Sequence, residues 1–244
     1  MCRLSAAVLS AAVLVAAVPA APAVAIVAGA VDGNAHPYVG ALLASSARPF
    51  CSGVTVANQN PDDHALGKVF LTSAHCLGKA GDGRQVRVTF GATVSSGTTS
   101  TGTYHVMPGY VPATFVNDIA IVVFNSPPAI SAVGLDDGDT VPGPGARVTT
   151  VGYGTPSIGI RKWATEIVTG SSSRWLDLRY GSGNSCIADS GGPDLFIPDP
   201  DDSAAPAVFA LTDQDSCGID QDYLVNSPAV RGFVNDPDYV SDAD

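Results

Sequence analysis

Eleven short runs rich in β-branched and other apolar residues punctuate this chain, each followed within three residues by Gly, Pro, Asn, Asp or Ser. They are Tyr38–Ala44, Gly53–Ala57, Lys68–Thr72, Gln85–Phe90, Thr103–Met107, Ile119–Phe124, Ala146–Val151, Lys162–Thr169, Arg174–Leu178, Ala207–Thr212 and Tyr223–Asn226. No long amphipathic helical pattern lies between them. A parallel sheet needs helices to cover its faces, so strands this short and this closely spaced predict an all-β chain of sandwiches or barrels. Only 14% of residues are charged, against 26 glycines and 18 prolines, a mix that suits turns better than helix bundles. Asn125–Val133, which holds Pro127-Pro128, reads as a linker. Pro228–Asn235 is the one helical segment, with Ser227 as N-cap and Pro228 at the first helical position. The acidic, proline-rich stretch Pro198–Pro206 reads as an exposed loop.

The amino terminus reads as an address. Arg3 is the only charge before Asp32, and an Ala/Val/Leu run from Ser5 to Val18 precedes two prolines and small residues. This is the pattern of a signal peptide over residues 1–25, and the apolar run is short for a membrane span. Ala23-Val24-Ala25 and Ala21-Pro22-Ala23 are competing cleavage sites, and the first would make Ile26 the mature terminus. Secretion, with no membrane attachment after cleavage, is the expectation. Cys2 falls in the leader, leaving Cys51, Cys76, Cys186 and Cys217, an even set that suggests two disulfides with three possible pairings. The four histidines are scattered and no CxxC occurs, so neither a metal site nor a cofactor is expected. A net charge of −11 excludes a phosphate-binding surface for nucleic acid.

Three strings carry chemistry. Thr72-Ser73-Ala74-His75-Cys76 ends an apolar run, Asn117-Asp118 precedes the apolar Ile119–Phe124, and Cys186-Ile187-Ala188-Asp189-Ser190-Gly191-Gly192-Pro193 is glycine-rich. Singly, each has a structural reading: a packed histidine, a turn-capping aspartate, a loop. Together they supply a hydroxyl nucleophile, an imidazole base whose pKa lies near neutrality, and a carboxylate to hold the imidazole's tautomer, in the chain order His…Asp…Ser. A Gly-x-Ser-x-Gly elbow, which would suggest an ester hydrolase of the α/β type, does not surround Ser190.

From Ile26 to about Val234 the chain resembles the chymotrypsin/trypsin family of secreted serine endopeptidases. Ile26-Val27-Ala28-Gly29 is similar to that family's mature terminus, Gly152-Tyr153-Gly154 to its Gly-Trp-Gly turn, and Tyr223–Pro228 to the entry of its terminal helix. The resemblance implies two packed six-stranded antiparallel Greek-key β-barrels with a short C-terminal helix, the first over about 26–128 and the second over about 129–244. It implies His75 as general base, Asp118 as its orienting acid and Ser190 as nucleophile. The N–H groups of Ala188 and Ser190 would form the oxyanion hole, and Asp189 would pair with the ammonium of Ile26. Removal of the signal peptide would then release the active form directly. Disulfides Cys51–Cys76 and Cys186–Cys217 follow from the same resemblance. So do protein or peptide substrates, protein inhibitors and a monomeric state.

Asn184, Thr212, Asp213 and Gln214 would line the substrate cleft, and here the sequence departs from the pattern. Asn184 stands where relatives that cut after Lys or Arg carry Asp, which predicts a different preference. Thr212-Asp213-Gln214 replaces Ser-Trp-Gly, Ala188 replaces Gly, and the calcium loop expected after Phe90-Gly91 has no carboxylate. These departures keep an alternative open, a weak or inactive homologue acting as a binding protein. Eleven acids lie from Asp199 to Asp244, opposed by Arg231 alone, and are expected to form largely a solvated face.

Overall fold

The computed structural model describes residues 26–57, 67–78, 81–136, 138, 141–196, 206–215, 217 and 219–240. The leader and Pro198–Asp202 of the acidic loop therefore lie outside the described residues. After a two-residue strand β1 (Ala30–Val31), six strands form the first barrel: β2 (Val39–Leu43), β3 (Pro49–Val56), β4 (Val69–Thr72), β5 (Gln85–Thr89), β6 (Thr99–Val106) and β7 (Ala120–Phe124). They close in the order β2-β3-β4-β7-β6-β5, every pair antiparallel.

A short β8 (Gly134–Leu135) leads to the second barrel: β9 (Arg147–Gly152), β10 (Lys162–Ser171), β11 (Trp175–Tyr180), β12 (Pro193–Phe196), β13 (Ala207–Asp215) and β14 (Ile219–Leu224). The ring runs β9-β10-β11-β14-β13-β12 and returns to β9. Helices α1 (Pro228–Val234) and α2 (Pro237–Val240) end the described chain. The Ser227 hydroxyl accepts from Val230 N and caps α1 as expected. Strand β12 and helix α2 were not among the expected elements. β12 is four residues long and opens with a proline, which weakens its strand pattern.

The continuous apolar run of β7 follows from its position. Ala120, Val122 and Phe124 fill the first barrel with Leu42, Phe70 and Val88. Ile119, Ile121 and Val123 face the other way, into a core shared with Val151, Tyr153, Leu211 and Val225 of the second half. A strand buried on both faces shows no alternation. Gly53 on β3 is required for the same packing: a Cβ there would lie 2.6 Å from Leu71 O and in collision with the Phe70 ring.

Both chain ends bind the barrel they are not continuous with. β1 pairs with β10 of the second barrel, and the Tyr239 ring lies 4.5 Å from that of His105 on β6 of the first. Arg161 and Asp32, both buried, form an ion pair at 2.7 Å, and Arg161 also donates to Val39 O at 3.0 Å. These links fix the relative placement of the barrels, and with it the cleft between them.

The second barrel departs from expectation inside. Its apolar core of Val148, Val168, Leu176, Leu178 and Phe209 is accompanied by Glu166, Asp194, Asp220 and Asp222, all at 0% exposure. The solvated-face reading of the acids is therefore corrected for Asp213, Asp220 and Asp222, which are buried. Among the described residues no Lys or Arg forms an ion pair with Glu166, Asp194 or Asp222. Burial first, then mutual repulsion, pushes Glu166 and Asp222 well above the ordinary carboxylate range, and burial pushes Asp194 up to about 6. A carboxyl that cannot be solvated holds its proton more tightly than one in water.

Candidate active site

His75 lies in a 3-10 turn, Ala74–Cys76, where β4 leaves the barrel wall. Asp118 sits just ahead of β7, the strand that pairs with β4 through Thr72↔Ala120. That register brings the two side chains together. Asp118 Oδ2 lies 2.7 Å from His75 Nδ1, and its Oδ1 accepts from His75 N at 2.6 Å. The carboxylate is fully buried while a quarter of the His75 side chain remains exposed. Such an arrangement leaves Nε2 as the reactive ring nitrogen. Asn117, ahead of Asp118, has a φ of +56° and donates its N–H to the Tyr223 hydroxyl of the second barrel at 3.2 Å.

Ser190 comes from the loop before β12 and is held against the same corner. Its carbonyl accepts from Ser52 N at 2.9 Å and lies 3.8 Å from Cys76 Sγ. Gly191, at φ +80°, donates to Thr212 O at 2.7 Å, and Ser73 Oγ donates to the same carbonyl at 3.3 Å. A Cβ on Gly191 would stand 2.6 Å from Ser52 O and 2.8 Å from Ser73 N, so only glycine lets the loop approach the strand end that carries His75.

Ala188 has a φ of +74°. In that region a Cβ costs roughly 1–2 kcal/mol, so the position expected to need glycine holds its conformation under strain. Among the described residues, neither Ala188 N–H nor Ser190 N–H donates to the protein, which leaves both free for an oxyanion. Ser52 was not anticipated from sequence. Its hydroxyl donates to Ala188 O at 3.0 Å and accepts from Tyr153 N at 3.0 Å, tying the loop to the first barrel. A lone serine in an apolar strand carries no signal for that role.

Asp189 is fully buried and accepts from Gly154 N at 2.7 Å and Cys186 N at 3.0 Å. Ile26 is also fully buried, and its neighbour Val27 exchanges backbone hydrogen bonds with Asn184. The amino-terminal segment thus docks beside the loop that holds Asp189. Asn184 itself is 2% exposed, with Nδ2 donating to Ser185 O, so it is packed rather than presented. Thr212 is buried too, and its backbone supports the Ser190 loop. Gln214 lies on β13 opposite Gln221. The expected disulfides Cys51–Cys76 and Cys186–Cys217 are both formed.

Asp213 is the main difference from the expected substrate-lining set. Its side chain is fully buried, with Oδ1 3.3 Å from His75 Nδ1. Burial alone would lower the His75 pKa; the hydrogen bond to Asp118 and the closeness of both carboxylates overcome this and raise it to about 9. Burial and the Asp118 charge raise Asp213 to about 8, against the pull of His75.

Two hollows flank this cluster. One of about 640 Å³ is lined by His75, Gly78, Tyr110, Pro112 and Phe115. The other, about 310 Å³, is lined by Arg48, Phe50, Ile158, Ile187, Ala188 and neighbouring residues.

Two closed six-stranded barrels with a histidine and an aspartate from the first and a serine from the second define a trypsin-like fold. The family described as Trypsin matches residues 26–196, and the chain belongs to that family. No curated protein matches the sequence. Among solved structures, human heparin binding protein is similar at 15% identity and TM-score 0.63, over 83% of this chain and 92% of that one. A mutant of human heparin binding protein (CAP37) is similar at 14% identity and TM-score 0.67, over 84% and 92%. An atomic-resolution structure of the same protein is similar at 16% identity and TM-score 0.60, over 80% and 88%. At these identities the likeness shows the fold alone. Among the described residues no helix is long and apolar enough to cross a membrane.

Proposed function

We propose that the chain is an exported serine endopeptidase working through His75, Asp118 and Ser190. The observation that carries this reading is the 2.7 Å contact from His75 Nδ1 to Asp118 Oδ2 in the corner where the Ser190 loop packs. Asp118 accepts a hydrogen bond from Nδ1–H, which fixes the tautomer and leaves Nε2 to act as base. Ser190 Oγ attacks the substrate carbonyl carbon as its proton moves to Nε2, and the carbonyl π pair moves onto oxygen. The N–H groups of Ala188 and Ser190 receive that oxyanion. Collapse breaks the C–N bond, Nε2 returns the proton to the leaving amine, and the acyl-enzyme is hydrolysed by water through the same steps in reverse. The Ser190 hydroxyl makes no hydrogen bond within the described residues. Catalytic bonds of free enzymes commonly tighten when substrate arrives.

Two intact disulfides and the leader pattern support an extracellular location. Heparin binding, which the names of the similar structures state of those proteins, is not carried over. A chain of net charge −11 repels a sulfated polyanion. The strain at Ala188 favours one second reading, a protein that binds peptides but turns them over poorly.

A fluorophosphonate probe decides between them. Labelling of Ser190 that is abolished by His75→Ala, together with cleavage of a diverse peptide library abolished by Ser190→Ala, is the expected result. A wild-type protein that takes up no label and cleaves no peptide overturns the enzyme reading.

A further inference from the structure

Three ionisable groups, not two, meet behind the exposed edge of His75. The imidazole and the carboxylates of Asp118 and Asp213 each place an atom within 4.8 Å of the other two. Asp213 is 5% exposed, and no hydrogen-bond donor reaches either of its oxygens among the described residues. The Nδ1 proton of His75 is committed to Asp118 at 2.7 Å, and the 3.3 Å separation to Asp213 is longer. A carboxylate buried without a donor is costly, and two adjacent carboxylates cannot both ionise cheaply. Protonation of one carboxyl removes both costs, because it turns one oxygen into a donor toward its neighbour.

Among the described residues the surroundings offer no other remedy. Burial raises the Tyr110 and Tyr223 hydroxyls, and the charge of the pair raises both further. Asp222 on β14 is occupied with Asp213 N at 3.2 Å. Among the described residues no Lys or Arg forms an ion pair with Asp213.

We infer that Asp213 is a positioning residue for His75: its protonated carboxyl donates to Asp118, and the two carboxyls sharing one proton hold the ring. This rests on the endopeptidase reading for its catalytic meaning, though the proton arrangement exists without it. The shared proton stays on the carboxyl pair while the Ser190 proton travels to Nε2, so the atoms of the reaction are unchanged. Loss of the shared proton leaves two anions beside the ring and keeps His75 charged, which removes the base. The protons then leave in steps that belong to the cluster rather than to one residue.

Two readouts test this. In Ser190→Ala protein, the His75 ring titration by nitrogen NMR should have its midpoint near 9. Adding Asp213→Asn, which keeps a donor without a charge, should leave that midpoint near 9. In the Ser190 enzyme, Asp213→Asn should leave the acid limb of kcat in place with KM unchanged. Asp213→Leu, which has no donor, should lose about tenfold more of the plateau kcat than Asp213→Asn, the worth of one good hydrogen bond. Asp213→Ser is the smaller donor to use if Asp213→Asn does not fold. A His75 midpoint that falls toward 6.5 in Asp213→Asn marks Asp213 as an anion and overturns the inference, as does equal kcat in Asp213→Asn and Asp213→Leu. An unmoved midpoint in a protein whose Ser190 takes no fluorophosphonate overturns the enzyme reading and leaves this one standing.

Discussion

The hydroxyl of Ser52, on a strand of the first barrel, donates to the carbonyl of Ala188 in the second at 3.0 Å. The same oxygen accepts from Tyr153 N, so one buried side chain satisfies two backbone groups of the opposite barrel. Ser52→Ala leaves both unpaired and should cost about 1–3 kcal/mol. A denaturant midpoint measures the loss, and kcat should fall with it because the oxyanion loop is freed. Wild-type values for both would show that the contact is incidental.

Ala188 invites the opposite experiment. Its φ of +74° suits glycine, so Ala188→Gly should recover about 1 kcal/mol and raise kcat toward a good peptide substrate. Thermal unfolding and steady-state rates check it. A lower kcat at higher stability would mean that the Cβ helps to hold the loop.

Stability should be greatest in mild acid. An acid whose pKa is raised on folding holds its proton more tightly in the native state, so its contribution is present below the unfolded value and is lost as pH rises through the folded one. For Asp194 that window runs from 3.8 to about 6, and Glu166 and Asp222 extend it upward. His75 acts in the same direction, losing its contribution as pH rises from 6.5 through about 9. Asp32 opposes them at the acid end. Its pKa is lowered, because hydrogen bonds from His36 and Arg161 outweigh its burial, so its contribution is lost as pH falls below 3.8. Unfolding temperatures from pH 3 to 9 should trace this maximum, and Glu166→Gln should stabilise more at pH 8 than at pH 5. A maximum at alkaline pH would contradict the protonated barrel interior.

The hollow beside His75 should select substrate. Tyr110 and Phe115 form an apolar wall, and Phe115 packs edge-on to the His75 ring at 5.9 Å. Phe115→Ala should raise KM about tenfold for peptides carrying an apolar residue next to the cleaved position, and little for those carrying glycine there. Equal effects on both peptides would place substrate elsewhere.

Cys51–Cys76 closes a 25-residue separation immediately beside His75. Replacing both cysteines with serine should cost about 3.5 kcal/mol by loop-closure entropy. Melting temperature and kcat should both fall, whereas a change in stability alone would show that the bridge does not position the histidine.

Much of this was legible in one dimension. Short β-rich runs between turn residues predicted an all-β chain of sandwiches or barrels, because strands without covering helices must bury one face against each other, and the family resemblance narrowed this to two barrels. The three residues proposed as the triad also stood out. Each member sits in a local string with its own reason: His75 where an apolar strand ends, Asp118 before a strand buried on both faces, and Ser190 among glycines that allow a close approach. Ala188 could be recognised as strained only because its neighbours matched a family pattern.

The acids were decided by tertiary structure. Asp220 and Asp222 alternate along β14, and a two-residue period names a shared face without saying which side of the sheet that face is on. Barrel closure turned it inward, beside Glu166 and Asp194. Asp213 depended on something finer. The pairing of β13 with β14 shifts register between Leu211 and Gln214, and an irregularity of this kind interrupts the alternation of side chains. Sequence determined most of the strands and singled out His75, Asp118 and Ser190, the residues proposed as base, acid and nucleophile. The register shift and the closure of the second barrel brought a third ionisable residue, Asp213, to His75 and Asp118, because both arise from contacts between segments far apart in the chain.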